Sequence, residues 1–85
     1  MHDSLLFEKT YRTVRELCEN NAIKRVNEIK LSVSMDSHAD GPHMLKHFIE
    51  RDNTLFNNRT HVIVQKRDIT KLTVVIESID GETDE

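Results

Sequence analysis

Three groups at the start of the chain can bind one metal ion together. They are the α-amine of Met1, the imidazole of His2 and the carboxylate of Asp3. The amine, the backbone amide nitrogen of His2 and its ring nitrogen can close adjacent chelate rings around a single cation. Such a nitrogen-rich, tetragonal ligand set suits Ni(II) or Cu(II) better than calcium or magnesium. The first three residues therefore predict a metal site.

The other histidines lie in patterns that favour ordinary surface positions. His43 and His47 are one helical turn apart and could share a metal. No glutamate stands beside the first of them, so the zinc-protease pattern fails, and both are expected on an exposed helix face. The loop at 36–40 lacks the spacing and the closing glutamate of a calcium loop. His61 is expected to be a half-exposed strand residue.

No set of catalytic side chains can be assembled, so the protein is not expected to be an enzyme. The chain has no G-x-S-x-G turn, and its two glycines are too few for a phosphate-cradling loop. The single cysteine, Cys18, excludes a disulfide framework and a zinc site built on thiolates. It lies on an apolar helical stripe and is expected to be a buried small hydrophobe.

The composition is that of one soluble domain. The chain has 85 residues, of which 36% are hydrophobic and 32% are charged, and its net charge is −3. This charge argues against nucleic-acid binding, which normally needs a clustered basic face. No apolar run approaches the length of a membrane span. Charged residues begin at Asp3, which argues against a secretory signal peptide, so we expect a cytoplasmic protein without membrane or nucleic-acid partners.

The hydrophobic pattern divides the chain into elements that could position the metal site. Apolar residues at helical spacing predict helices over 4–20 and from Pro42 to about Asp52. The first should end at Asn20-Asn21, because asparagine tolerates the left-handed conformation that ends helices. Alternation predicts strands over 29–34, 60–65 and 72–79, the last two joined as a hairpin. With a short strand at Met1–Asp3, the order is β-α-β-α-β-β. We expect an α+β fold, an open two-layer sandwich with both helices on one face of a small, mostly antiparallel sheet. The domain would span 1–79, followed by a disordered acidic tail at 80–85.

The succession of these segments resembles the HypA/HybF family of nickel-insertion accessory proteins. Members of that family begin with Met-His-Glu just before a helix and continue with a Lys-Arg-Val turn into an alternating strand. A helix rich in Leu and Phe follows, and the last strand reads Val-Glu-Ser-Ile-Glu. The corresponding segments here are Met1-His2-Asp3, Lys24-Arg25-Val26, 45–50 and Ile76-Glu77-Ser78-Ile79-Asp80.

The resemblance implies a protein that binds Ni(II) for the maturation of a nickel enzyme such as [NiFe]-hydrogenase. His2 would be the main ligand, Met1 would supply the amine, and Asp3 would take the position of the family's glutamate. The implied partner is a nickel-enzyme precursor or a maturation GTPase. The family carries a zinc domain with two Cys-x-x-Cys pairs between its last two strands, and here the short segment 66–71 replaces it, so zinc is not expected. The alternative is a metal-free interaction domain that kept the fold and lost nickel delivery.

Overall fold

The computed structural model describes residues 4–83 and contains two helices and three strands. In chain order the elements are α1 (Ser4–Asn20), β1 (Ile23–Ser34), α2 (Gly41–Arg51), β2 (His61–Arg67) and β3 (Val74–Thr83). Both predicted helices are confirmed, and the α+β fold class is confirmed with them. The strand predicted at Met1–Asp3 lies outside the described residues, as do Asp84 and Glu85.

The three strands form a mixed sheet in the order β2-β1-β3. β1 pairs with β2 in parallel and with β3 in antiparallel orientation. A parallel pair needs a long crossover, and the connection from β1 to β2 contains α2. The hairpin predicted for the last two strands is therefore wrong. β2 and β3 flank the central strand, and the segment between them passes the carboxyl end of β1.

β1 and β3 are both longer than the sequence predicted. β1 begins at Ile23 rather than Ile29, and its first residues pair with the end of β3. Glu82 is opposite Arg25, and Thr83 is opposite Ile23. Residues 80–83, which were predicted to start a disordered tail, are thus part of the sheet. Pairing with β1 outweighs the acidic composition of residues 80–83.

Both helices cover one face of the sheet, and the core lies between them. Alternate residues of β1, namely Ile29, Leu31 and Val33, are fully buried against the helices. α1 supplies Tyr11, Val14 and Cys18, and α2 supplies Met44 and Phe48, which stacks against Phe56 from the following turn. The opposite face, which carries Ser32 and Gln65 in register, has no helix over it.

Local hydrogen bonds set the ends of the helices. After α1, the side chain of Asn21 donates to the carbonyl of Leu17, while Ala22 takes the left-handed conformation with φ 57°. The sequence predicted that an asparagine would take this conformation, which is wrong: Asn21 instead uses its amide as a side-chain cap. α2 starts where Asp40 accepts a hydrogen bond from the His43 amide, with Pro42 in the first turn as predicted.

Candidate metal site and its surroundings

The predicted ligands Met1, His2 and Asp3 all lie outside the described residues, but the structure shows what they lead into. α1 begins at Ser4, and its first turns are held by Leu6 and Phe7, both buried in the core. A chain of three residues reaches at most about 10 Å. The predicted site is therefore tethered within that distance of a rigid helix end.

The start of α1 lies at the carboxyl end of β1. Leu6 lines a shallow cavity of about 280 Å³ together with Leu72 and Val74, and Val74 is opposite Val33 at the end of β1. The segment that joins β2 to β3 borders the same cavity. Lys71 in this segment lies 3.9 Å from Asp36 in the loop after β1. The segment between β2 and β3 thus adjoins the start of α1, the helix that follows the predicted metal site.

Three large apolar side chains are exposed near this end of the sheet, one of which, Met35, directly follows β1. Leu5 lies in the first turn of α1, and Leu72 lies at the mouth of the cavity. Leu72 has φ 63°, a left-handed conformation that a leucine rarely adopts. Backbone strain of this kind is concentrated at binding surfaces and functional sites. A leucine held in this way offers an apolar contact beside the start of α1.

Glu8 of α1 contacts three basic side chains, two of which lie on α2 and join the helices. Its carboxylate lies 3.2 Å from Nε2 of His47, 2.9 Å from Arg51 and 3.2 Å from Arg12. Burial raises the pKa of Glu8, but the hydrogen bond from His47 and the charges of Arg51 and Arg12 outweigh it, and the net pKa is lowered. This cluster holds the beginning of α1 against the second half of α2.

His43 and His47 do not form a metal-binding pair. The His43 side chain is 76% exposed, as predicted, and its Nδ1 lies 2.7 Å from Asp40. The His47 side chain is only 22% exposed, packs edge-on against Phe7 and contacts Glu8, so the prediction that it is exposed is wrong. Helix–helix packing buries it. Each ring is therefore engaged by a carboxylate of its own.

The remaining candidate ligands, in the loop at 36–40 and at His61, either cap a helix or lie at the surface. In the loop at 36–40, Asp40 caps α2, and its pKa is lowered mainly by hydrogen bonds from the backbone and side chain of His43. His38 and His61 are exposed. Between residues 4 and 83, no three histidine, cysteine, aspartate or glutamate side chains are grouped closely enough to hold a metal ion.

Cys18 is buried, as predicted, and its chemistry follows from its surroundings. Burial and, to a lesser degree, the charge of Asp52 raise its pKa to about 11. The thiolate is the form that binds metals and attacks electrophiles. A thiol with this pKa is neutral at physiological pH, so Cys18 contributes packing rather than metal binding.

Sequence reasoning did not find the cluster around Glu8. The pairs Glu8–Arg12 and His47–Arg51 each have the i, i+4 spacing of helix-surface neighbours, which is a visible signal. The two pairs come together where α1 and α2 cross, and spacing along the chain does not predict that crossing.

In the part of the chain that the structure describes, no helix is long and apolar enough to cross a membrane.

Comparison with known proteins supports the fold. No protein-family model matches the sequence, and no curated protein matches it. Among solved structures, the chain is similar to the solution structure of the Ni metallochaperone HypA from Helicobacter pylori, with a TM-score of 0.64 and 11% sequence identity. The likeness covers 99% of this chain and 100% of that one. At this identity it shows that the two proteins share their α+β fold.

Proposed function

We propose that this protein is a cytoplasmic, HypA-like accessory protein that binds Ni(II) at its first residues for the maturation of a nickel enzyme such as [NiFe]-hydrogenase. The observation that carries the proposal is a likeness to a Ni metallochaperone over 99% of the chain, in a sequence that opens with Met1-His2-Asp3. Nickel is the cargo. The Met1 amine, the His2 amide and the His2 imidazole supply three nitrogen ligands, and Asp3 lies beside them.

The proposed site uses the helix that follows it. Because Leu6 and Phe7 anchor α1 in the core, the ligands lose less conformational freedom on binding than they would in a long flexible arm. The proposed partner is a nickel-enzyme precursor or a maturation GTPase. Leu5 and Leu72, both exposed near the start of α1, offer it an apolar contact next to the metal.

A nickel titration of untagged protein tests this function, after intact mass measurement has confirmed that Met1 carries a free amine. We expect one Ni(II) per chain, and we expect His2→Ala to weaken binding at least about 100-fold, since even second-shell changes cost 10- to 100-fold. Affinity should fall on acidification, because the amine, amide and imidazole must each lose or lack a proton to bind. A chain extended at its amino end should not bind, because the amine is then part of a peptide bond.

The matched control is His43→Ala, which removes an exposed histidine from α2 and should leave the affinity unchanged. Equal nickel binding by the wild type and His2→Ala would remove the proposed mechanism. NMR gives a second readout: stoichiometric Ni(II) should shift the signals of residues 1–4, and shifts confined to His43 and His47 would contradict the proposal.

A second candidate function is a metal-free interaction domain, and the uncovered sheet face favours it. Ile63 of β2, opposite Lys30, and Val75 of β3, opposite the buried Ser32, are apolar side chains exposed on that face. This function predicts partner binding that is independent of nickel and is weakened by Ile63→Lys. Loss of partner binding in His2→Ala, with Ile63→Lys unaffected, would decide against it.

A further inference from the structure

A polar groove lies at the amino end of β1, at the far end of the sheet from the start of α1. Its volume is about 530 Å³, and it is lined by Arg25, Asn27, Asn57, Asn58, Arg59 and Glu82. None of these side chains is apolar or aromatic. A neighbouring depression, bordered by Lys24 and Thr83, continues it along the end of β3. The groove has two guanidinium groups, three amides and one carboxylate, and its extension adds the ammonium of Lys24.

Among residues 4–83, no carboxylate forms an ion pair with the cations of this groove. The chain has six arginines, and four of them, Arg12, Arg15, Arg51 and Arg67, lie within 4.0 Å of a carboxylate oxygen. Within residues 4–83, the two arginines without such a partner are Arg25 and Arg59. Both are exposed, as is Lys24. In a protein of net charge −3, this is a local concentration of positive charge.

The backbone beneath the groove is rigid. The hydroxyl of Thr60, which is buried, donates to the carbonyl of Val26 at 2.8 Å, and the amide of Asn57 donates to the same hydroxyl at 3.1 Å. The amide of Arg59 donates to Oδ1 of Asn57 at 2.7 Å. These bonds tie the turn that carries Arg59 to the strand that carries Arg25. The two guanidinium groups are therefore presented from fixed backbone positions.

From these observations we propose that the groove between Arg25 and Arg59 binds an acidic peptide segment of a protein partner. Guanidinium groups pair with carboxylates through two parallel hydrogen bonds, and the three asparagine amides add neutral donors. A nucleotide would need an apolar or aromatic surface for its base, which the lining lacks. Neither a glycine-rich loop nor a helix N-terminus borders the groove to bind phosphate.

This site is separate from the proposed nickel site. The start of α1 is next to Val74, which is opposite Val33, whereas the groove contains Arg25. Eight residues of strand between these positions correspond to about 25 Å. A partner docked on the groove would leave the start of the chain free. The proposal does not depend on nickel binding, and the two can fail independently.

The test measures binding of a fluorescein-labelled hexaglutamate peptide to the full chain by fluorescence anisotropy at low salt. We expect the double variant Arg25→Gln/Arg59→Gln to weaken binding at least about tenfold, since each lost charge-assisted contact is among the stronger hydrogen bonds. Glu82→Gln should strengthen binding, because it removes the carboxylate from the groove. Arg25, Arg59 and Glu82 are all exposed, so the melting temperatures of these variants should equal that of the wild type. The affinity for Ni(II) should also stay unchanged in all variants.

The matched controls are Lys46→Gln/Lys66→Gln, which changes the net charge equally at exposed positions outside the groove, and Glu50→Gln on α2. Each should change peptide affinity less than twofold. Equal losses in the two double variants would show non-specific attraction and overturn the site. Tripolyphosphate that binds more tightly than the peptide, with the same dependence on Arg25 and Arg59, would overturn the assignment to an acidic peptide.

Discussion

Ala22 makes the turn between α1 and β1 in an unfavourable backbone conformation. Its φ of 57° is left-handed, a region in which the β-carbon crowds the backbone and costs roughly 1–2 kcal/mol. The chain turns here directly from a helix into the central strand of the sheet. Asparagine tolerates this conformation better than alanine does, yet both neighbouring asparagines lie before the turn. The alanine is therefore a site of stored strain.

Ala22→Gly should raise the free energy of unfolding by about 0.5–1 kcal/mol. Glycine adopts positive φ without steric cost, and this gain exceeds its greater flexibility in the unfolded chain. Urea denaturation of both proteins measures the difference. The control is Ala39→Gly, at the other alanine, where φ is not positive and the methyl group is buried; it should lower stability. Destabilisation by Ala22→Gly would contradict the left-handed assignment.

At the scale of the elements, Asp52 ends α2 and stabilises the turn that follows it. The amide of Asp52 donates to the carbonyl of Phe48 at 2.9 Å, closing the helix. Its Oδ1 accepts hydrogen bonds from the amide and the hydroxyl of Thr54 and from the amide of Leu55. That turn carries Leu55 and Phe56 into the core. One carboxylate thus joins a helix to the core segment that follows it.

The protonation of Asp52 makes this stabilisation dependent on pH. Burial raises its pKa, but the hydrogen bonds from Thr54 and Leu55 and the charge of Arg15 outweigh burial, and the net pKa is lowered. A carboxyl group whose pKa is lower in the folded state stabilises the fold above its unfolded pKa. This contribution is lost as the pH falls through the folded value. The window is therefore below about pH 4, the ordinary range for an aspartate.

Asp52→Ala should lower the free energy of unfolding at pH 7 by about 1–2 kcal/mol, because three donors lose a charged acceptor. Denaturant unfolding from pH 7 to pH 2.5 should show the wild type and the variant converging below about pH 4. The control is Asp68→Ala, at an exposed aspartate in the segment between β2 and β3, which should have little effect. A gap between wild type and Asp52→Ala that is constant with pH would contradict this role.

At the scale of the whole molecule, the approach of α2 to the sheet depends on Gly41. A β-carbon at this position would collide with the carbonyl oxygen of Val62 in β2. The collision involves backbone on both sides, so a side-chain rotation cannot relieve it. The parallel β1-α2-β2 unit therefore closes only with glycine at the first residue of the helix.

Gly41→Ala should destabilise the protein by about 1–3 kcal/mol, the usual cost of overpacking. Helix propensity alone predicts the opposite sign, because alanine is favoured over glycine by about 1 kcal/mol within a helix. Thermal unfolding followed by circular dichroism measures the change. Lys46→Ala on the exposed side of α2 is the control and should stay within about 0.5 kcal/mol. A stabilised Gly41→Ala would show that α2 does not lie this close to β2.

The sequence by itself determined the features that depend on neighbours along the chain. Apolar spacing of three and four residues located α1 and α2, and it placed Cys18 in the core, because helical contacts form between residues one turn apart. Pro42 marked the first turn of α2, because proline fits where the backbone N–H would be unpaired. The metal site at Met1, His2 and Asp3 is also a prediction from adjacent residues, and it stays a prediction.

The tertiary structure alone decided the features that join distant segments. A short connection between two strands predicted a hairpin, yet each of them pairs with β1, which lies between them and is almost completely buried over its second half. The same sheet drew residues 80–83 into β3, and the crossing of the helices buried His47 beside Glu8. Arg25 and Arg59, 34 positions apart in the sequence, line one groove because the Thr60 hydroxyl binds the backbone of Val26. Such contacts depend on long-range packing, to which local spacing gives no guide.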